Sequence, residues 1–175
     1  MSGQPPLLNV PNLLSFLRLP LAVVFILTES PQARALIILI AAITDGLDGW
    51  AARRLGQQTA AGQLVDPITD KLFVLVAMAS MTAHRELAPW MVLLLLARDI
   101  YTSFAFFIVK AMGWHVRFKA RFTGKTVTVL QFSVLIAALL RPELTLPLVI
   151  ATTIAALIAI IDYTRAILAE RRRIG

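Results

Sequence analysis

Asp45-Gly46-Leu47-Asp48-Gly49-Trp50-Ala51-Ala52-Arg53 is followed, after eight residues, by Gly62-Gln63-Leu64-Val65-Asp66-Pro67-Ile68-Thr69-Asp70. This stretch sets four carboxylates beside membrane-like apolar sequence. An ionised side chain in a membrane span costs about 2.5 to 3.5 kcal/mol on insertion scales, so acids in such a setting point to function. Asp45 and Asp48 stand three apart and Asp66 and Asp70 four apart, so each pair shares one face of its own helix. Two such helices facing each other make one acidic cluster. Unit charges about 4 Å apart repel by roughly 4 kcal/mol at an effective dielectric of 20, so the cluster must protonate or bind cations. Its all-oxygen donor set favours magnesium, manganese or calcium over zinc. Gly49 and Gly62 let a bulky ligand approach the backbone, and Arg53 offers a fork of donors suited to phosphate. The combination reads as a site for a phosphorylated, nucleotide-bearing substrate.

Working outward, 58% hydrophobic and 15% charged residues in a chain of 175 describe a membrane protein. Apolar stretches at 11–28, 33–52, 67–83, 88–110, 124–140 and 145–167 are each near the roughly 20 residues that cross a bilayer. The expected fold is therefore an all-α integral membrane protein with six transmembrane helices, forming a single domain over 1–175. No Lys/Arg-led region precedes Arg18 and no small-residue cleavage site follows, so the first stretch reads as a retained span. Without cysteine, disulfides and thiol catalysis are excluded.

The basic residues set an orientation. With the N-terminus inside, Arg53, Arg54, Lys110, Arg117, Lys119, Arg121, Lys125, Arg165, Arg171, Arg172 and Arg173 fall on the cytoplasmic side, against Arg34, Arg85 and Arg141 outside. The positive-inside rule then places both termini, the 53–65 loop and the 111–123 loop in the cytoplasm, and the acidic motif opens there. The net charge of +7 follows from this bias and from attraction to anionic headgroups. Nucleic acid is not an expected partner, because no basic patch is interleaved with stacking aromatics. Trp50, Trp90 and Trp114 read as interfacial anchors, and His84 and His115 have no neighbours at metal-ligand spacing.

The same residues resemble the signature of the CDP-alcohol phosphatidyltransferases, D-x-x-D-G-x-x-A-R, eight residues, then G-x-x-x-D-x-x-x-D. Asp45, Asp48, Gly49, Ala52, Arg53, Gly62, Asp66 and Asp70 match it in register. The resemblance implies transfer of a phosphatidyl group from CDP-diacylglycerol to an alcohol with release of CMP. It implies two divalent cations, magnesium or manganese, on Asp45, Asp48, Asp66 and Asp70, with Asp70 as candidate general base for the incoming hydroxyl. It also implies a CDP-diacylglycerol pocket lined by Asp45, Asp48, Gly49, Ala52, Arg53 and Gly62, and a six-helix homodimer whose cavity opens to lipid. A cation transporter with midplane aspartates is disfavoured, since paired halves are missing and the full motif is present.

For a glycerol-type acceptor the candidates are Arg98, Lys125, Arg117, Lys119 and Arg121. Arg18, also inside an apolar stretch, reads as functional, whereas Lys71 is equally well an offset to the acidic cluster. Two subfamilies are closest, the cardiolipin synthases of this family, which use phosphatidylglycerol, and the phosphatidylglycerophosphate synthases, which use glycerol 3-phosphate. Arg98-Asp99-Ile100-Tyr101 is followed by Ser103, Phe104, Ala105, Phe106 and Phe107 without a second arginine. That apolar run suits an acceptor carrying acyl chains, and Phe122-Thr123-Gly124-Lys125 with Gln131 also resembles the cardiolipin type. The expectation is accordingly phosphatidylglycerol as acceptor, with glycerol 3-phosphate as the alternative.

Overall fold

A computed structural model describes residues 16–55, 62–112 and 122–174, with side chains described at 16–47, 71–105, 107–109, 112 and 123–169. Among the described residues there are six α-helices, one 3-10 turn and no strand. The helices are α1 (Arg18–Leu27), α2 (Pro31–Leu55), α3 (Gly62–Ala83), α4 (Pro89–Ala111), α5 (Phe122–Leu140) and α6 (Thr145–Ile174), with the 3-10 turn at Pro142–Leu144. The all-helical expectation holds over these residues. Pro89–Val109, Thr123–Leu140 and Pro142–Ala169 are long and apolar enough to cross a membrane, while Arg18–Leu27 and Lys71–Ala83 are shorter apolar helical stretches. At about 1.5 Å per residue, the 30 residues of α6 reach roughly 45 Å, longer than a hydrocarbon core of about 30 Å.

The helix boundaries have local causes. Thr28 is extended, its N–H bonds the Phe25 carbonyl at 3.4 Å and its hydroxyl the Val24 carbonyl at 2.6 Å, which closes α1. Ser30 then caps α2, accepting from the Ala33 N–H at 3.4 Å, with Pro31 in the first turn, where its missing N–H costs no helical bond. Pro89 does the same for α4 after Ala88, whose carbonyl takes the Met91 N–H at 3.0 Å. The sequence puts Pro67 in the first turn of its helix. The structure starts α3 at Gly62, five residues earlier, so Pro67 lies in the second turn, where it cannot donate to the carbonyl four residues back. At the far end of α3, Arg85 adopts a left-handed φ of 61°, and Arg85 N–H to Thr82 carbonyl (3.1 Å) and Glu86 N–H to Met81 carbonyl (2.9 Å) complete a Schellman turn.

Contacts divide the chain into two compact units, Met1–Leu87 and Ala88–Gly175. In the first, α1 packs on α3 and α2. Its buried face, Arg18, Ala22 and Phe25, follows the i, i+4, i+7 repeat, and Val23, Val24, Ile26 and Leu27 are left exposed. Phe25 meets Phe73 edge-on at 6.3 Å between ring centroids. In the second unit α6 packs on α5 and α4. Thr145, Val149, Thr152, Ala156 and Ala159 form the buried stripe of α6, and Ala156 and Ala159 close on Val127 of α5. Small residues on this stripe are expected in lipid, where helices associate by close packing rather than by hiding apolar surface from water. Leu146, Ile150, Ile154, Leu157, Ile158 and Ile161 of the same helix point outward, an arrangement that a bilayer solvates and water does not.

Candidate functional site

The signature lies on two unbroken helices. Asp45, Asp48, Gly49, Ala52 and Arg53 are on α2, and Gly62, Asp66 and Asp70 are on α3, whose first residue is Gly62. Continuous helix through both aspartate pairs is the local condition for their three- and four-residue spacings to fall on one face each. The side chains of Asp48, Gly49, Ala52, Arg53, Gly62, Asp66 and Asp70 lie outside the described residues, as do Arg117, Lys119 and Arg121 altogether.

Asp45 is the one motif carboxylate whose surroundings are described. It is half-buried and pairs through Oδ1 with Arg18 Nη2 at 3.4 Å, the arginine side chain being only 2% exposed. The first turn of α1 thus returns to the motif end of α2, and the functional expectation for Arg18 gains a contact with a signature residue. A carboxylate has two oxygens and about four lone-pair sites, so an arginine at Oδ1 leaves Asp45 able to act as a ligand. The donor set of Asp45, Asp48, Asp66 and Asp70, oxygen throughout, fits a hard divalent cation. Gly46, one residue on, has open space where a side chain would project.

The second unit holds a polar group around Arg98. Nη1 of Arg98 donates to Asp99 Oδ1 at 2.7 Å, and Gln131 Nε2 donates both to Asp99 Oδ2 at 3.0 Å and to the Leu95 carbonyl at 2.6 Å. Thr123 donates to Asp162 Oδ2 at 3.2 Å, and the Tyr101 and Thr164 hydroxyls are 2.6 Å apart. Of the expected acceptor residues, Arg98 belongs to this group, and Lys125 sits exposed on α5 one residue beyond Gly124, which adjoins Arg98. Sequence reasoning found Arg98 but treated Gln131 only as a family resemblance and passed over Asp162. The missed signal was a polar residue on an apolar helix, since a buried amide there needs a partner.

The apolar run that suggested a lipid-bearing acceptor has a different place. Leu93, Ile100, Phe104 and Phe107 repeat at helical spacing on the exposed side of α4, with Phe104 66% and Phe107 68% exposed. They form an exposed apolar stripe, and such a stripe does not by itself mark a wall for an acceptor.

Arg34, sorted with the outside loop charges, is instead enclosed. It lies in the first turn of α2 and is 2% exposed, its Nη1 bonding Glu86 Oε1 at 2.5 Å and its Nη2 bonding Ser80 Oγ at 3.2 Å. The guanidinium carbon stands 4.5 Å from the Phe25 ring centroid. Eleven residues separate Arg34 from Asp45 on α2, about 16 Å of helix, so this cluster closes the end of the unit away from the motif.

Comparison with known proteins agrees with the signature. A family model described as CDP-alcohol phosphatidyltransferase matches residues 8–163. An Escherichia coli (strain K12) protein named "CDP-diacylglycerol--glycerol-3-phosphate 3-phosphatidyltransferase" is 36% identical over 146 residues, covering 78% of this chain and 79% of the relative. A protein of the same name from Aquifex aeolicus (strain VF5) is 42% identical over 98 residues, which is 53% of this chain and 55% of the relative. The aligned stretch thus spans about half the length of the Aquifex protein.

Proposed function

The chain belongs to the CDP-alcohol phosphatidyltransferase family, and from that premise we propose that it transfers the phosphatidyl group of CDP-diacylglycerol to glycerol 3-phosphate. The acceptor hydroxyl attacks the phosphorus that carries diacylglycerol, the pyrophosphate P–O bond breaks, and CMP leaves. The observation that carries this reading is the similarity, over more than three quarters of the chain, to a relative named for glycerol 3-phosphate. Phosphatidylglycerol, the acceptor expected from the sequence, is favoured less, because the relatives are named for glycerol 3-phosphate.

Each residue then has a task. Asp45, Asp48, Asp66 and Asp70 would hold two divalent cations, magnesium or manganese, which would supply Lewis-acid neutralisation of the pyrophosphate charge. Arg18 fixes the direction of Asp45 by its ion pair. Gly49, Ala52, Arg53 and Gly62 line the nucleotide side of the donor site, with Arg53 on phosphate. Asp70 takes the proton of the acceptor hydroxyl, and Arg98, with Lys125, Arg117, Lys119 and Arg121 nearby in sequence, receives the acceptor phosphate. Six spans are read from the apolar stretches, both termini and the site on the cytoplasmic side from the positive-inside count, and the molecule works as a homodimer embedded in lipid.

The test is CMP release from CDP-diacylglycerol with glycerol 3-phosphate or phosphatidylglycerol as acceptor, followed by product analysis. Radiolabelled glycerol 3-phosphate should enter the lipid phase. Cardiolipin formed from phosphatidylglycerol, with no labelled glycerol 3-phosphate incorporated, would return the reading to the other acceptor. Chelation should stop transfer and magnesium or manganese restore it. Asp66→Asn should abolish activity in a protein that remains folded in detergent, and full turnover in excess chelator would remove the two-cation assignment.

A further inference from the structure

Two residues beyond Arg98 itself govern where its guanidinium lies. Side chains at i and i+1 of a helix do not face each other, so an ion pair between Arg98 and Asp99 needs something to turn the carboxylate. Gln131 of α5 does so. Its amide is buried, pinned by the Leu95 carbonyl, and it fixes Asp99 Oδ2 while Oδ1 takes Arg98 Nη1. Gly124, in the first turn of α5, acts by what it lacks. A Cβ at that position would collide with Arg98 Nη2 and stand 3.5 Å from the guanidinium carbon.

Glycine weakens a helix relative to alanine, and Gly124 has no left-handed backbone to justify it. The space that it leaves is taken by Arg98. With Nη1 engaged by Asp99, the guanidinium presents the edge formed by Nε and Nη2, the pair of donors that grips a phosphate bidentately. Nε is buried and has no hydrogen-bond partner among the described residues, and Nη2 is the atom that occupies the Gly124 gap. A buried donor of this kind is an outstanding demand for an acceptor oxygen.

We propose that Gly124 and Gln131 are specificity-determining positions, Gly124 by admitting the phosphate-binding edge of Arg98 and Gln131 by fixing Asp99, so that together they set how tightly the acceptor phosphate is held. This rests on the reading of glycerol 3-phosphate as acceptor. Lys125, exposed beside the gap, adds charge to the same place without fixing geometry.

Steady-state kinetics of the full chain, with each substrate varied separately, decide the matter. Gly124→Ala and Gln131→Leu should each raise KM for glycerol 3-phosphate by roughly tenfold, as for a lost hydrogen bond to a charged group, and leave KM for CDP-diacylglycerol in place. Arg98→Lys removes the planar fork and should itself raise KM, but adding Gly124→Ala to it should cost little more, because the colliding group is gone. A fall in kcat at unchanged KM, or a Gly124→Ala penalty as large in the Arg98→Lys background as in the wild type, overturns the inference while the acceptor reading stands. Should Gly124→Ala fail to fold, Gln131→Leu with an unchanged KM overturns it equally. If the wild type uses phosphatidylglycerol and never glycerol 3-phosphate, the acceptor reading fails first and this inference goes with it.

Discussion

Arg34 and Arg98 are both guanidinium groups on apolar helices, yet their surroundings assign them opposite work. Arg34 is 2% exposed, both of its terminal nitrogens are bonded to other elements, and the Phe25 ring covers its face. Arg98 is 22% exposed and its ion pair is with the next residue rather than with another helix, while Nε is without a partner in both arginines among the described residues. A charge whose terminal donors are consumed by the protein holds helices together. One that is only steadied by a neighbour keeps donors for a ligand. The destination of the two terminal nitrogens separates them, since Nε is unpartnered in both among the described residues.

The largest effect is expected where the enclosed arginine is broken. Arg34→Ala leaves the Glu86 carboxylate partly buried and unpaired, a change that costs about 3 to 5 kcal/mol in comparable sites. Thermal unfolding in detergent should shift far downward, while transfer per folded molecule persists. Arg34→Met combined with Glu86→Leu should recover most of the loss, since removing both charges together is often neutral. A normal melting temperature with lost transfer would make Arg34 a functional residue and dissolve the contrast.

Arg98→Ala should behave the other way. A lost hydrogen bond to a charged group costs about 1.5 to 3 kcal/mol, so KM for glycerol 3-phosphate should rise tenfold or more. Unfolding should change little, because the group that loses its partner, Asp99, still accepts from Gln131. Collapse of the protein on this substitution would move Arg98 into the class of Arg34.

How much of this was visible in the sequence follows from the range of each interaction. The signature is local, with all eight residues inside one stretch of chain, so it was legible by spacing alone. The partners of Arg34 are not legible in sequence because Glu86 lies 52 residues away and Ser80 lies 46, and only the packed unit joins them. The Phe104 and Phe107 run is ambiguous in sequence because apolar residues on a membrane helix can face either a substrate or lipid, and sequence has no register against the bilayer. Gly124 was noticed only as part of a motif, since its meaning depends on a side chain from another helix.

Arg18 falls between the two cases and sharpens them. It is buried like Arg34, but its ion-pair partner Asp45 is a signature carboxylate. Arg18→Gln should therefore lower both measures moderately, by roughly 1 to 3 kcal/mol in unfolding because a charge-assisted bond is lost, together with reduced turnover at every acceptor concentration. The divalent-ion dependence of that variant should also shift to higher concentration. A purely thermal defect would place Arg18 with Arg34, and a purely kinetic one with Arg98.

The smallest effect belongs to Arg85, whose role is in its backbone. It occupies a left-handed φ of 61° in the Schellman turn that ends α3, a conformation that costs a residue with a Cβ roughly 1 to 2 kcal/mol. Glycine removes that cost but raises the freedom of the unfolded chain, which offsets about 0.5 to 1 kcal/mol. Arg85→Gly should therefore leave stability unchanged or raise it by up to about 1 kcal/mol, a shift of roughly 2 to 4 °C for a chain of this size. Transfer should be unaffected, since the exposed Arg85 lies just past the end of α3 opposite to the one that carries the signature. The next residue is Glu86, whose N–H closes the turn on the Met81 carbonyl and whose carboxylate holds Arg34, so the turn sets the aim of that ion pair. If Arg85→Gly destabilises the protein, the added backbone freedom has loosened Glu86, and the rigidity of the enclosed arginine then depends on the strained turn beside it as well as on its own bonds.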